Sequence, residues 1–220
     1  MKTILSVLPV SVFAAILLFS CKKENRPSSI NYQVKTSNAS AQISARTNGG
    51  SLIWSSGYAS AVEIEFEAES NNVEVEYKSE AKKKIDLFSP LSTLGTVTIP
   101  AGFYKDIEFE VEVQANGSDA AFFLGGTYTN SNGVTTPVTF TLNATLEIEA
   151  EKENVTITDE ASVNALTTWN LSLVTTGVTE SMLNSAARTN GTIEISASSN
   201  AAIYNIIYNN LRNCGGVEVK

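Results

Sequence analysis

The sequence contains no histidine. That removes Ser-His-Asp and Cys-His nucleophile systems, zinc sites with imidazole ligands and haem held by a histidine. Cysteine occurs only at Cys21 and Cys214. Cations are scarce: 15 Lys and Arg stand against 23 Asp and Glu, for a formal charge of −8. Nucleic-acid recognition leans on Lys and Arg to neutralise phosphates, so this balance gives no reason to expect a nucleic-acid partner. No Asp-x-Asp-x-Asp-Gly loop of the calcium-binding kind occurs either.

What is present begins at the first residues. Met1-Lys2 carries one positive charge, and Ile4 to Phe19 is a charge-free, mostly apolar run. A membrane-spanning helix needs ~20 such residues, so the shorter run reads as a secretory signal peptide. It ends in Leu18-Phe19-Ser20-Cys21, followed by Lys22, Lys23 and Glu24. These residues resemble a lipobox, the recognition sequence of lipoprotein signal peptidase: Leu, a variable position, a small residue, then Cys. Phe19 is bulkier than usual for its place. The resemblance implies that residues 1–20 are the signal peptide of a bacterial lipoprotein. Cys21 is then the mature N-terminus, carrying a thioether-linked diacylglyceryl group and an N-acyl chain. Each buried methylene contributes ~0.8 kcal/mol, so several chains hold a bilayer firmly. The competing reading is a secreted protein in which Cys21 is incidental. Lys22 is not the Asp that retains many lipoproteins at the inner membrane, so the outer membrane is the expected location, with its periplasmic and cell-surface sides both open.

Removing residues 1–20 leaves 200 residues and, with Lys2 gone, a charge of −9. That is enough chain for one substantial domain. Residues 21–40, rich in Lys, Asn, Ser and Thr, are expected to form a flexible tether whose later part, from about Ile30, is open to pairing as a strand, and residues 41–220 a single domain. With Cys21 lipidated, Cys214 has no disulfide partner. A lone thiol without any histidine is a poor nucleophile, and the expectation for Cys214 is a buried residue at a helix end.

The domain reads as β structure. Val62, Ile64, Phe66 and Ala68 alternate with Glu63, Glu65, Glu67 and Glu69. After Asn71-Asn72, Val73, Val75 and Tyr77 alternate with Glu74, Glu76 and Lys78. Ile107, Phe109, Val111 and Val113 alternate with Glu108, Glu110 and Glu112, and Leu146 and Ile148 with Glu147, Glu149 and Glu151. Period-2 alternation of this kind gives one apolar and one wet face, as in an antiparallel sheet with a solvated side. Asn-Gly pairs at 48–49, 116–117, 132–133 and 190–191 supply turn chemistry. Gly125-Gly126 suggests a bulge or a close backbone approach, and Pro137 an edge strand or strand start. Near the end, Thr179 can cap a helix over about Glu180–Ala187, and Ser199 or Asn200 a longer one to about Asn213. Ile203, Ile206, Ile207 and Leu211 share a face of the second. Val217–Val219 is a candidate last strand. The expected fold is a mainly β, antiparallel β-sandwich of about seven to ten strands with two short helices near the C-terminus.

Twelve of the 23 acidic residues belong to the alternating strands: Glu63, Glu65, Glu67, Glu69, Glu74, Glu76, Glu108, Glu110, Glu112, Glu147, Glu149 and Glu151. Three readings compete. The first is a solvated face that discourages edge-to-edge aggregation. The second is a cation site, although carboxylates on flat strands converge poorly around calcium. The third is a paired-carboxylate glycosidase, which requires a cleft and one raised pKa. The run Lys82-Lys83-Lys84 is expected to offset the acidic face or to lie in a strand-entry loop. Among the aromatics, Trp54, Tyr58 and Tyr128 are the candidates for a glycan-stacking surface. Core packing is the ordinary role for such residues in a sandwich, and for Trp169, Tyr204 and Tyr208 as well.

Lys84-Ile85-Asp86-Leu87-Phe88, followed by Val97-Thr98-Ile99-Pro100-Ala101-Gly102-Phe103-Tyr104-Lys105-Asp106-Ile107, is similar to a pattern in uncharacterised bacterial lipoproteins. There a strand with Asp-Leu precedes a Pro-Ala-Gly-x-Tyr turn into a long strand. The resemblance implies a prealbumin-like or carbohydrate-binding-like β-sandwich and transfers no catalytic residue. The expected protein is therefore not an enzyme and needs no cofactor or metal. It is a lipid-anchored envelope protein with a binding or adhesive sandwich, its partners a membrane and a glycan or envelope proteins. The alternative is a structural or assembly subunit of an outer-membrane or surface complex.

Overall fold

Alternation of apolar and polar residues dictates most of the architecture. The computed structural model describes residues 27–37, 40–42, 50–70 and 74–220. Residues 1–20, expected to be a signal peptide, Cys21, and the Asn48-Gly49 and Asn71-Asn72 pairs expected at turns lie outside them. In chain order the strands are β1 (Ser28–Ser37), β2 (Ser40–Gln42), β3 (Ser51–Glu69), β4 (Glu74–Asp86), β5 (Ser92–Ile99), β6 (Gly102–Val113), β7 (Phe122–Thr129), β8 (Thr135–Leu142), β9 (Leu146–Ile157) and β10 (Ser162–Asn170). Then come helices α1 (Leu171–Val174) and α2 (Glu180–Asn184), strands β11 (Arg188–Thr189) and β12 (Thr192–Ile195), helix α3 (Ala201–Leu211) and strand β13 (Gly215–Val219).

Two sheets result. One has the order β13-β10-β1-β5. The other runs β11-β12-β8-β7-β3-β6-β9, with β2 and β4 also paired to β3. Most pairs are antiparallel; β1 with β10 and β8 with β12 are parallel. The sheets pack face to face, and Tyr32 of β1 stacks on Phe109 of β6 at 4.5 Å between ring centres. Phe122 of β7 meets Trp169 of β10 at 6.2 Å. Ile30, Val34, Phe66, Val111 and Ile148 complete this part of the core. The β-sandwich expectation holds, although it divides into thirteen strands among the described residues rather than seven to ten.

One boundary is corrected. Residues 28–37, expected inside the tether, form β1, which lies between β5 and β10. Ile30, Tyr32 and Val34 point inward and are buried, while Asn31, Gln33 and Lys35 alternate with them. The strand pairs with β10, more than 100 positions away, and with β5, dozens of positions away, so nothing local reveals its partners.

The C-terminal helices are three rather than two. Thr179 caps α2 by accepting the Met182 N–H. Asn170 caps the additional helix α1 through the Ser172 N–H at 3.1 Å. Asn200 occupies the cap position of α3 but does not cap it. With φ at 53°, it turns its side chain back to Ala187 and Glu194. Ile203, Tyr204, Ile207 and Leu211 form the buried stripe of α3, with Tyr204 stacked on Phe140 at 5.7 Å. Val217–Val219 falls in β13 as expected. Cys214 is buried just after α3. Desolvation pushes its thiol up to about 12, leaving it unreactive.

Gly125 and Gly126 combine both expected features. The β3–β7 register shifts between Trp54 and Ser56 opposite them. A Cβ on Gly126 would run into the Ile53 carbonyl. Pro137 lies just before Val138, where the β8–β12 pairing starts, so its missing N–H costs no bond there.

Candidate functional site

The aromatic surface expected from Trp54, Tyr58 and Tyr128 does not assemble. Trp54 and Tyr128 are each 1% exposed. Tyr128 donates its hydroxyl to Asn184 Oδ1 at 3.0 Å, tying β7 to α2. Tyr58 is half-buried, stacks on Phe123 and accepts the Ala120 N–H at 3.1 Å. Lys84 Nζ covers its ring at 3.8 Å from the centre. Trp54 and Tyr128 take inward-pointing positions of the packed sheet, and Tyr58 is covered by Phe123 and Lys84, so none of the three offers a free stacking face.

The acidic residues, by contrast, come together. β4, β3, β6 and β9 lie side by side, and their registers align the outward residues into four cross-strand rows. The first row is Glu80, Glu63, Glu112 and Glu147. The second is Lys78, Glu65, Glu110 and Glu149. Glu76, Glu67, Glu108 and Glu151 form the third. The fourth is Glu74, Glu69, Asp106 and Glu153. Neighbouring strands lie ~4.8 Å apart and alternate residues ~6.8 Å apart, so the rows form a two-dimensional grid. Glu80, Asp106 and Glu153 were missed by the sequence reading. Glu80 continues the alternation of Glu74 and Glu76, while Asp106 and Glu153 become neighbours only through the β6–β9 register.

Lys78 is the single cation of the grid. Its Nζ lies 2.6 Å from Glu65 and 3.9 Å from Glu76. At the margins, Lys105 approaches Glu69 at 3.7 Å and Arg212 approaches Glu147 at 3.9 Å. The Lys82–Lys84 run lies within β4 and not in a strand-entry loop, and its Lys83 and Lys84 bond away from the grid. Lys83 donates to the Thr93 carbonyl of β5, and Lys84 pairs with Asp119 at 2.7 Å.

Crowding marks the centre of the grid. Desolvation by the surrounding side chains, then the charges of Glu147, Glu65, Glu149 and Glu108, push Glu110 up to about 7. Desolvation and neighbouring carboxylates also raise Glu108 and Glu67. Two trios, Glu65/Glu67/Glu76 and Glu108/Glu110/Glu149, bring carboxylate oxygens within 4.8 Å of one another. The side chains flank an open groove of ≈ 400 Å³, lined by Glu67, Glu69, Glu74, Asp106, Glu108 and Glu151. This is an open sheet face and not the walled cleft that a glycosidase pair requires.

The outer face of the other sheet is chemically different. Thr96 donates to Asn31 Oδ1 at 2.9 Å, and Asn31 Nδ2 reaches Ser162 Oγ at 3.3 Å. With Gln33, Asn164 and Thr98, these residues make a face of amides and hydroxyls on β5, β1 and β10. The sandwich is thus strongly anionic on one side, whereas the other side is mostly amides and hydroxyls, with Lys35 and a Lys220–Glu218 ion pair at 2.6 Å among them. No protein-family model matches the chain, and no curated protein or solved structure matches it either.

Proposed function

We propose that this chain is a lipid-anchored envelope protein whose sandwich is a non-catalytic binding module, with the acidic sheet as its contact face. The observation that carries this reading is the cross-strand grid. Like charges placed directly opposite each other destabilise a sheet. A face that only has to stay wet does so with mixed charges at lower cost. Four aligned rows with one lysine therefore retain a strain that contact with cations relieves. Exposed carboxylates on flat strands suit loosely held cations, or the basic groups of a partner, better than one coordinated ion. The lipobox-like Leu18–Cys21 supports the envelope assignment.

Thermal unfolding of residues 22–220 in calcium or magnesium, against sodium at matched ionic strength, tests this. A larger Tm increase with the divalent ion, lost when Glu65, Glu67, Glu108 and Glu110 become Gln, is the expected result. Equal responses at matched ionic strength would reduce the grid to a screened wet face and remove the binding proposal.

A further inference from the structure

We infer that one end of the sandwich, the end bearing the Pro100–Lys105 turn, faces the lipid bilayer, while both sheet faces stand away from it. This inference rests on the lipid-anchor reading. Ser28 pairs with Ile99 and donates its hydroxyl to the Thr158 carbonyl at 2.7 Å. The chain therefore enters the fold beside the β5–β6 and β9–β10 turns. Seven residue steps separate Cys21 from Ser28, a reach of at most ~25 Å. β6 carries the fold away from that end, and from Gly102 to Val113 it rises ~37 Å. The anchor therefore holds the turn end close and leaves the opposite end distant.

Chemistry separates this pose from lying flat. The carboxylate grid is repelled by an anionic headgroup layer. The other face, of amides and hydroxyls with Lys35 and the Lys220–Glu218 ion pair, carries no exposed large apolar side chain to insert and loses hydration by leaving water. The turn end carries Asp159 and Glu160 in the β9–β10 turn, but unlike either face it also presents Phe103, a large apolar side chain that is 52% exposed, on the strand residue two before Lys105. Tyr104 braces the same turn through its hydroxyl to the Pro100 carbonyl at 2.7 Å. An aromatic ring with a nearby long cation is suited to the bilayer interface, where the ring leaves water and the ammonium stays at headgroup level.

The test uses the full lipidated chain in phosphatidylethanolamine–phosphatidylglycerol vesicles carrying a rhodamine lipid as energy acceptor. A donor is placed at Thr156→Cys, opposite Phe103, or at Asn143→Cys, in the β8–β9 turn at the other end. Cys214 is buried with a raised pKa and does not compete for label. Transfer from position 156 should be several-fold stronger than from position 143. Equal transfer, or stronger transfer from 143, would overturn the orientation alone. Intact mass of the same sample reads the anchor independently. An acylated Cys21 with the wrong transfer order sinks only the orientation, whereas an unmodified Cys21 sinks the anchor reading and this inference with it.

Discussion

Lys78 Nζ lies 2.6 Å from Glu65 Oε1, and across the β3–β6 ladder the same glutamate faces Glu110. One attraction and one repulsion thus meet at a single side chain. The bond to Glu65 is also the main cause of the raised Lys78 pKa. Replacing Lys78 by Gln should lower the Tm at low salt, and replacing it by Glu should lower it further. Both deficits should shrink as salt screens the rows. Unfolding curves over a salt series check this; a deficit that does not change with salt would mean that Lys78 acts through packing.

Acidity should stabilise the fold through the grid. Glu110 is pushed up to about 7, and Glu108 and Glu67 are also raised. Between the unfolded value of 4.5 and about 7, the folded chain therefore binds protons that the unfolded chain has released. This contribution is present below the unfolded pKa and is lost as pH rises through the folded one. Glu180 is shifted the other way, mainly by the Ser131 backbone N–H, so its contribution is lost only below the ordinary carboxylate range. The Tm should accordingly be higher near pH ~5 than near pH ~8, and Glu110→Gln should raise the Tm at the upper pH and flatten the profile. Calorimetry across that range decides it, with a Tm that climbs with pH as the contrary outcome.

In the core, Tyr32 provides a sharper test of packing. Its ring stacks on Phe109, but its hydroxyl is buried without a hydrogen-bond partner, as is that of Thr167. Desolvation drives the phenol pKa strongly upward, with Thr167 beside it acting in the opposite sense. Tyr32→Phe keeps the stack and removes a polar group whose burial costs ~1–3 kcal/mol when unpaired, so it should be neutral or stabilising. Phe109→Ala opens a cavity between the sheets and should cost ~3–5 kcal/mol. Urea denaturation of both variants measures the contrast. A clear loss in Tyr32→Phe would show that the hydroxyl is bonded in solution.

Gly126 tests the crossing of β3 and β7. A Cβ there overlaps the Ile53 carbonyl, and backbone cannot move aside as a flexible side chain can. Gly126→Ala should cost ~1–3 kcal/mol or more. Gly95, whose Cβ would meet nothing within 4 Å, is the control and should accept Ala with little change. Equal stabilities for the two variants in urea would argue against the tight crossing.

Much of the fold was legible because the alternation of Ile64, Phe66 and Ala68 with Glu63, Glu65 and Glu67 encodes which face is wet. The Thr179 cap, the Asn190-Gly191 turn with φ of 50° and 83°, and the burial of Cys214 follow from equally local chemistry. The sequence leaves a strand from about Ile30 open, but its start at Ser28 and its pairing with β5 and β10 are not legible because those partners lie far along the chain. The aromatic candidates failed for a related reason. Residue type marks Trp54 and Tyr128 as useful for stacking, but burial is set by which way β3, bulged beside Trp54, and β7 turn them.

The sequence alone determined that glutamates would point outward on each strand, that no histidine chemistry operates, and that the N-terminus resembles an export signal with a lipidated cysteine. Tertiary structure decided that those strands are neighbours in matched register. Side-chain direction is a property of one strand and can be read from its period. Which carboxylates face each other depends on pairing between strands dozens of residues apart, and that is settled only when the sheets pack.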